Sequence, residues 1–423
     1  MKTLKRLVTG FLAAAVMLTG AVTASAASTK DTRIIVSLGD SYSSGEGIPP
    51  FGSSTTAADK VKDPDWIAHR SDLAWGGKLT LSGVDGTMAD HRGTNWFFAA
   101  ASGATTGNIT GEFTKSYNYN DLTGTFTLEP QINIFKQIKS GDTDYVTMTI
   151  GGNDIGFADI MVTAFMKPDT LDERLEKAWK DYADHIRDDL KNTYKAVEKA
   201  AGKQAAIIVA GYPHLMNPDG FTVSYLVTKV KVKAASVKKV NDATDKLNSE
   251  ISALVDECRA EGMNIWFAPV VDEFSGHEAY TKKPYINGIV MGRQEEDMFG
   301  TPQGISGYSL HPNEDGAKAY AKAVQKVIDK LESGTAESTV PTPTATVKTG
   351  KITIKWNAVS GAEKYRLMLY TDGKYKSLKT TTKTSLTISG VKSGTKYKYA
   401  VRAYVNGKWT AIEKASTITV KAK

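Results

Sequence analysis

Ser41 stands in the stretch Gly39-Asp40-Ser41-Tyr42-Ser43-Ser44-Gly45-Glu46-Gly47, a turn dense in glycine and small hydroxyls directly after the apolar run Ile34–Leu38. Ligands of α/β sheets bind beyond the carboxyl ends of the strands, so a serine here occupies a nucleophile's position. A serine hydroxyl attacks poorly at neutral pH and needs a base within hydrogen-bond reach. His311, in Ser309-Leu310-His311-Pro312-Asn313 just before the last helical pattern, is the histidine placed beside such a turn. Two further small-residue turns are Ala101-Ser102-Gly103-Ala104-Thr105 and Ile150-Gly151-Gly152-Asn153-Asp154, the second again at the end of an apolar run. Asp40 and Asp154 read as turn-stabilising acceptors rather than reacting groups.

The elements that must hold these turns alternate in type. Ile34–Val36, Tyr145–Ile150, Ala206–Val209 and Ile265–Phe267 are short apolar runs that lead into turns, as buried parallel strands do. Thr170 with Glu173 has the form of a capping box, and Leu175, Trp179, Tyr182, Ile186, Leu190, Tyr194 and Val197 then recur at helical spacing up to Gly202. Leu247, Ile251, Leu254 and Cys258 share one helical stripe, which makes the single cysteine a packing residue. Tyr320, Val324, Val327 and Leu331 give a closing helix. Alternating strands and helices over residues 32–333 predict an α/β fold with a parallel sheet.

Four blocks in this order, carrying Ser41, Gly103, Asn153 and His311, resemble the SGNH (GDSL-type) hydrolases over residues 33–332. His69-Arg70-Ser71-Asp72, Gly103-Ala104-Thr105-Thr106, Gly211-Tyr212-Pro213 and Val271-Asp272-Glu273 resemble the secreted bacterial lipase/esterase branch that works with a Ser-His dyad. The resemblance implies a three-layer α/β/α, flavodoxin-like domain hydrolysing carboxylic esters, with Ser41 as nucleophile and His311 as base. Attack on an ester makes an oxyanion, for which the main-chain N–H groups of Ser41 and Gly103 and the Asn153 amide are the expected donors; losing one costs about 3 kcal/mol in the barrier. Gly103 is read as the residue that leaves the backbone open to close approach. The commonest family pattern has an Asp three residues before the histidine, where this chain has Tyr308. The dyad branch therefore implies that the main-chain carbonyl of Tyr308 orients His311, with Asp272 or Glu273 as the alternative. His69, His91, His185, His214 and His277 fall at no metal-ligand spacing and read as surface or packing residues, His69 being the one expected to line the cleft if any does. No metal or nucleotide cofactor is expected, since no ligand cluster and no phosphate loop is legible.

The chain of 423 residues is long enough for more than one domain. Residues 1–26 have the form of a signal peptide: Lys2, Lys5 and Arg6, an apolar run to Val22, then Ala24-Ser25-Ala26. A secreted bacterial protein is expected, with no transmembrane segment in the mature chain. Residues 27–333 form the expected hydrolase domain, and 334–347 read as a Thr/Pro linker. Residues 348–423 change to period-two alternation (Ile352/Ile354/Trp356, Tyr365/Leu367/Leu369, Leu386/Ile388, Tyr397/Tyr399/Val401) punctuated by Asp372-Gly373, Ser389-Gly390, Ser393-Gly394 and Asn406-Gly407. This segment resembles a fibronectin type III module, a small all-β sandwich. It carries 17 Lys/Arg against 3 Asp/Glu, whereas residues 28–347 carry 33 against 43. An acidic main body disfavours a nucleic-acid partner, and the basic module suits an anionic cell-wall polymer or glycan. The substrate class is an acyl ester, lipid or acetylated glycan. The rivals are deacetylation of a polysaccharide and, outside enzymes, an adhesion protein whose hydrolase domain is inert.

Overall fold

The computed structural model describes residues 33–225, 228–292, 294, 304–333, 341–357, 359, 362–405, 408–412 and 416–423. The expected signal peptide, residues 334–340 of the expected linker and Asn406-Gly407 lie outside them. Among the described residues the first domain carries nine strands: β1 (Ile35–Gly39), β2 (Trp96–Phe98), β3 (Phe113–Tyr119), β4 (Leu122–Leu128), β5 (Tyr145–Thr149), β6 (Ala206–Ala210), β7 (Gly220–Tyr225), β8 (Thr228–Lys233) and β9 (Ile265–Ala268). Five of them make an all-parallel sheet in the order β2-β1-β5-β6-β9. Counted within the sheet, this is the flavodoxin-like order 2-1-3-4-5. The chain moves outward from β1 to β2 and then returns across β1 to β5. With the usual crossover hand, this reversal puts helices on both faces, which accords with β1, β5 and β6 being buried at every position.

The long helical pattern after Thr170 is continuous but not uniform: Leu171–Asp181 and Arg187–Ala201 are α-helical, with a π turn at Tyr182–Ile186 between them. The expected capping box at Thr170 does not form. Pro168 opens a 3-10 turn ahead of the helix, and the Thr170 hydroxyl donates back to the carbonyl of Lys167 at 3.0 Å. Cys258 is fully buried in the helix Ala234–Ala260, and the closing helix is Glu314–Glu332, capped by Asn313.

Two antiparallel hairpins, β3–β4 and β7–β8, stand outside the sheet. In the second, Val223 faces Val230 and Phe221 faces Val232, while Lys229, Lys231 and Lys233 alternate outward.

The C-terminal module is an all-β sandwich of a three-stranded and a five-stranded sheet around Ile352, Ile354, Trp356, Leu367, Tyr399 and Val401. Its first strand is Pro343–Lys348, so the module begins inside the stretch read as linker. The strand lies at a sheet edge, where a leading proline is tolerated, and its threonines point outward while Ala345 and Val347 pack inward.

Candidate active site

The carboxyl ends of β1 and β5 and the turns that follow β2 and precede Glu314–Glu332 open onto one cavity of about 310 Å³, lined together by Ser41, Gly103, Asn153 and His311. Ser41 begins a one-turn helix, Ser41–Ser44, capped by Asp40, whose carboxylate accepts from the Tyr42 N–H at 3.0 Å. The chain can enter this turn because Gly39 has φ +118°, and a Cβ there would stand 2.3 Å from the carbonyl oxygen of Thr149. Asp40 also accepts from the hydroxyls of Thr149 at 2.7 Å and Tyr212 at 2.5 Å. Burial pushes the Asp40 carboxyl up to about 6, against the pull of these donors. Asp40 is thus a structural tie, as its turn position predicts, and Gly211-Tyr212-Pro213 is its partner string: the Tyr212 hydroxyl also accepts from Gly152 N–H at 3.1 Å.

The loop carrying Gly103 is fixed from several sides. Arg70 donates to the carbonyls of Ala100 at 2.7 Å and Ala99 at 3.1 Å, Ser102 N–H donates to Ala68 at 2.8 Å, and the buried Lys115 donates to the Ser102 carbonyl at 2.9 Å. Thr106 donates from its N–H and its hydroxyl to Asp154, which joins this loop to the Gly-Gly-Asn-Asp turn. Asn153 donates from Nδ2 to the carbonyl of Ala104 at 2.8 Å, so one of its two amide hydrogens is engaged and the other is left for the cavity. Gly103 has φ +85°, and a Cβ would meet nothing nearer than Phe113 at 3.5 Å. The backbone conformation, rather than crowding, is what calls for glycine. Among the described residues neither the Ser41 nor the Gly103 N–H donates to a protein acceptor, which leaves both for a ligand.

His311 is held on its Nδ1 side by the main-chain carbonyl of Ser309 at 3.1 Å, not by that of Tyr308. The Tyr308 carbonyl instead accepts the His311 main-chain N–H at 3.3 Å. Leu310, between them, has φ +60°, and this left-handed turn swings the ring toward Ser309. Tyr42 braces the same turn: its hydroxyl donates to the Leu310 carbonyl at 2.7 Å, and its ring centroid is 5.0 Å from that of His311. Desolvation lowers the His311 pKa below its ordinary value, partly opposed by the charge of Glu46 and by the main-chain groups of Ser309 and Gly307. The alternative acids do not serve it. Glu273 is paired with Lys322 and Lys326, and Asp272 is solvent-exposed.

An acid invisible to sequence reasoning lies behind the site. Glu46 is buried and its carboxylate accepts from His69 Nδ1–H at 2.6 Å, while the His69 ring stacks on Phe51 at 4.3 Å. His69 therefore packs beneath the site instead of lining the cleft. Burial acts to raise the Glu46 pKa, but the charge of His69, their hydrogen bond and the charge of His311 outweigh it and hold the carboxyl at about 2. Of the other histidines, His185 is exposed, His214 pairs with Asp245 at 2.8 Å, His277 stacks on Tyr285 at 3.8 Å and His91 contacts the Asp85 carbonyl. The described residues hold no group of three or more His, Cys, Asp or Glu that could bind a metal ion, and none of their helices is long and apolar enough to cross a membrane.

Known proteins are similar to this chain in sequence. The chain is 29% identical over 257 residues to a lipase of Streptomyces rimosus, covering 60% of this chain and 76% of that one. It is also 29% identical over 297 residues to lipase 1 of Streptomyces coelicolor, covering 70% and 91%. The crystal structure of the extracellular lipase from Streptomyces rimosus superposes with a TM-score of 0.48 at 24% identity, over 71% of this chain and 99% of that one. Residues 347–413 match the PBP1-like, fibronectin3-like domain family. The profile of the GDSL-like lipase/acylhydrolase family matches residues 35–324, and on that match the chain belongs to this family of carboxylic-ester hydrolases.

Proposed function

We propose that the protein is a secreted serine esterase or lipase acting through an acyl-serine intermediate. The observation that carries this reading is the convergence of Ser41, His311, Asn153 and the Gly103 backbone on one cavity. Nε2 of His311 takes the Ser41 proton as Oγ attacks the ester carbonyl. The developing oxyanion receives the N–H groups of Ser41 and Gly103 and the unengaged Asn153 amide hydrogen. His311 then gives its proton to the departing alkoxide, which leaves as the alcohol. Water attacks the acyl-serine carbonyl in the second half, losing a proton to His311, which passes it to Ser41 as the acid departs. Because burial lowers the His311 pKa, the ring is neutral and able to accept a proton at neutral pH.

The orienting group is the Ser309 carbonyl, which makes the machinery a Ser-His dyad with main-chain support. The four intact groups speak against an inert adhesion protein. In this reading the leader exports the chain, and the basic module, isolated from the chemistry, holds it on an anionic wall polymer or glycan. Hydrolysis of p-nitrophenyl butyrate by the mature chain, abolished in both Ser41→Ala and His311→Ala, is the test. Full turnover in either variant would refute the reading.

A further inference from the structure

The cavity at Ser41 does not end at the catalytic turns. Its lining includes Val162, Phe165, Ile289 and Ile305, and the same four residues also line an adjoining second cavity of about 230 Å³. The remaining walls of that second chamber are Met166, Val223, Val230 and Val232. Every lining residue is apolar. A sugar placed there would bury hydroxyls without partners, which is unfavourable, whereas a hydrocarbon chain loses nothing on entering.

The chamber's outer wall is the β7–β8 hairpin. A two-stranded hairpin has little stability of its own and needs its apolar face covered. The helix Phe157–Met166 covers part of it, with Phe165 packed edge-on against Phe221 at 5.9 Å, and the chamber occupies the space between Met166 and the three valines. Val162, Met166 and Ile305 are about half exposed, at 52%, 59% and 50%, so the rim is an apolar mouth rather than a sealed void.

We propose that this second chamber is the distal acyl subsite, that the substrates are long-chain acyl esters, and that Val223 and Val230 set the length of chain accepted. The inference rests on the reading of Ser41 as the acylated nucleophile. An acetyl group would fill only the space beside Ser41. A long chain bound at its carbonyl there would continue past Phe165 and Ile289 into the hairpin chamber. Each methylene buried in it should raise kcat/KM up to about fourfold.

The test is an acyl-length series of p-nitrophenyl esters, from acetyl to hexadecanoyl, on the mature chain and on Val230→Trp and Val223→Trp. These are paired residues on facing strands, so either indole would fill the chamber. The readout is the ratio of kcat/KM for dodecanoyl to that for butyryl ester, which does not depend on how much of a variant is folded. In the parent chain the ratio should exceed one, and in each variant it should fall tenfold or more. A parent ratio below one, or a ratio unchanged by both substitutions, overturns the proposal. Binding of dodecanoate to Ser41→Ala, weakened tenfold when Val230→Trp is added, tests the chamber without turnover. If no ester is hydrolysed by the parent, the nucleophile reading fails, and this binding alone decides the chamber: undetectable dodecanoate overturns it.

Discussion

Asn153 has two roles that one substitution separates into two measurements. One amide hydrogen is bound to the Ala104 carbonyl at 2.8 Å and the other is available to the oxyanion. Replacing Asn153 by Ala removes the first bond and leaves a partly buried carbonyl unsatisfied, which should lower unfolding stability by about 1 kcal/mol, within the ordinary range for such a bond. It also removes one of three proposed oxyanion donors, which should raise the barrier by about 3 kcal/mol and reduce kcat by roughly 10² to 10³. KM should change little, because this donor strengthens only as charge develops on the carbonyl oxygen. Steady-state kinetics on butyryl ester and urea unfolding of the same preparation read the two effects independently. A kcat within tenfold of the parent, with the expected loss of stability, would show that Asn153 ties the two loops together and does nothing for the transition state.

The lowered pKa of His311 predicts that activity rises with pH through a midpoint below the ordinary histidine value of about 6.5. A kcat/KM profile with its acidic midpoint above that value would contradict it. Glu46, held at about 2 in the folded chain against an ordinary 4.5, contributes about 3 kcal/mol of stability. Its folded pKa is depressed, so this contribution is complete above pH 4.5 and is lost as pH falls toward 2. Glu46→Gln should remove that part of the acid-induced loss of unfolding free energy, and parallel curves for parent and variant would disprove the assignment. Asp272→Asn and Glu273→Gln should keep turnover within roughly tenfold, and Tyr308→Phe most of it, because the Ser309 carbonyl survives side-chain changes. A thousandfold loss in any of the three, with unchanged unfolding, would reveal an acid or hydroxyl acting on His311.

The central sheet was legible because β1, β5, β6 and β9 are short, largely apolar runs ending in turns, and the inner strands β1, β5 and β6 are buried along their whole length. Strand β2 is three aromatic residues, Trp96–Phe98, too short to show a period. Hairpin β3–β4 did carry a signal: Asn120 and Asp121 both have positive φ, at 46° and 66°, as a two-residue hairpin turn demands. At the site, the four motif residues stand out by type and by their small-residue turns, and the fold brings all four to one cavity. The contact of His311 with the Ser309 carbonyl, in place of the expected Tyr308, could not be read from the chain, because the left-handed turn at Leu310 depends on tertiary ties from Tyr42 and Asn287. The Glu46–His69 pair could not be read at all, since two residues separated by 23 positions meet only once the loops are folded.

The most direct test of the account is covalent. The mature chain treated with a fluorophosphonate should gain a single adduct by intact mass, peptide mapping should place it on Ser41, and Ser41→Ala should take up none while losing turnover by several orders of magnitude. Modification of a different residue with loss of activity, or an unlabelled enzyme that still turns over ester, would contradict Ser41 as the nucleophile.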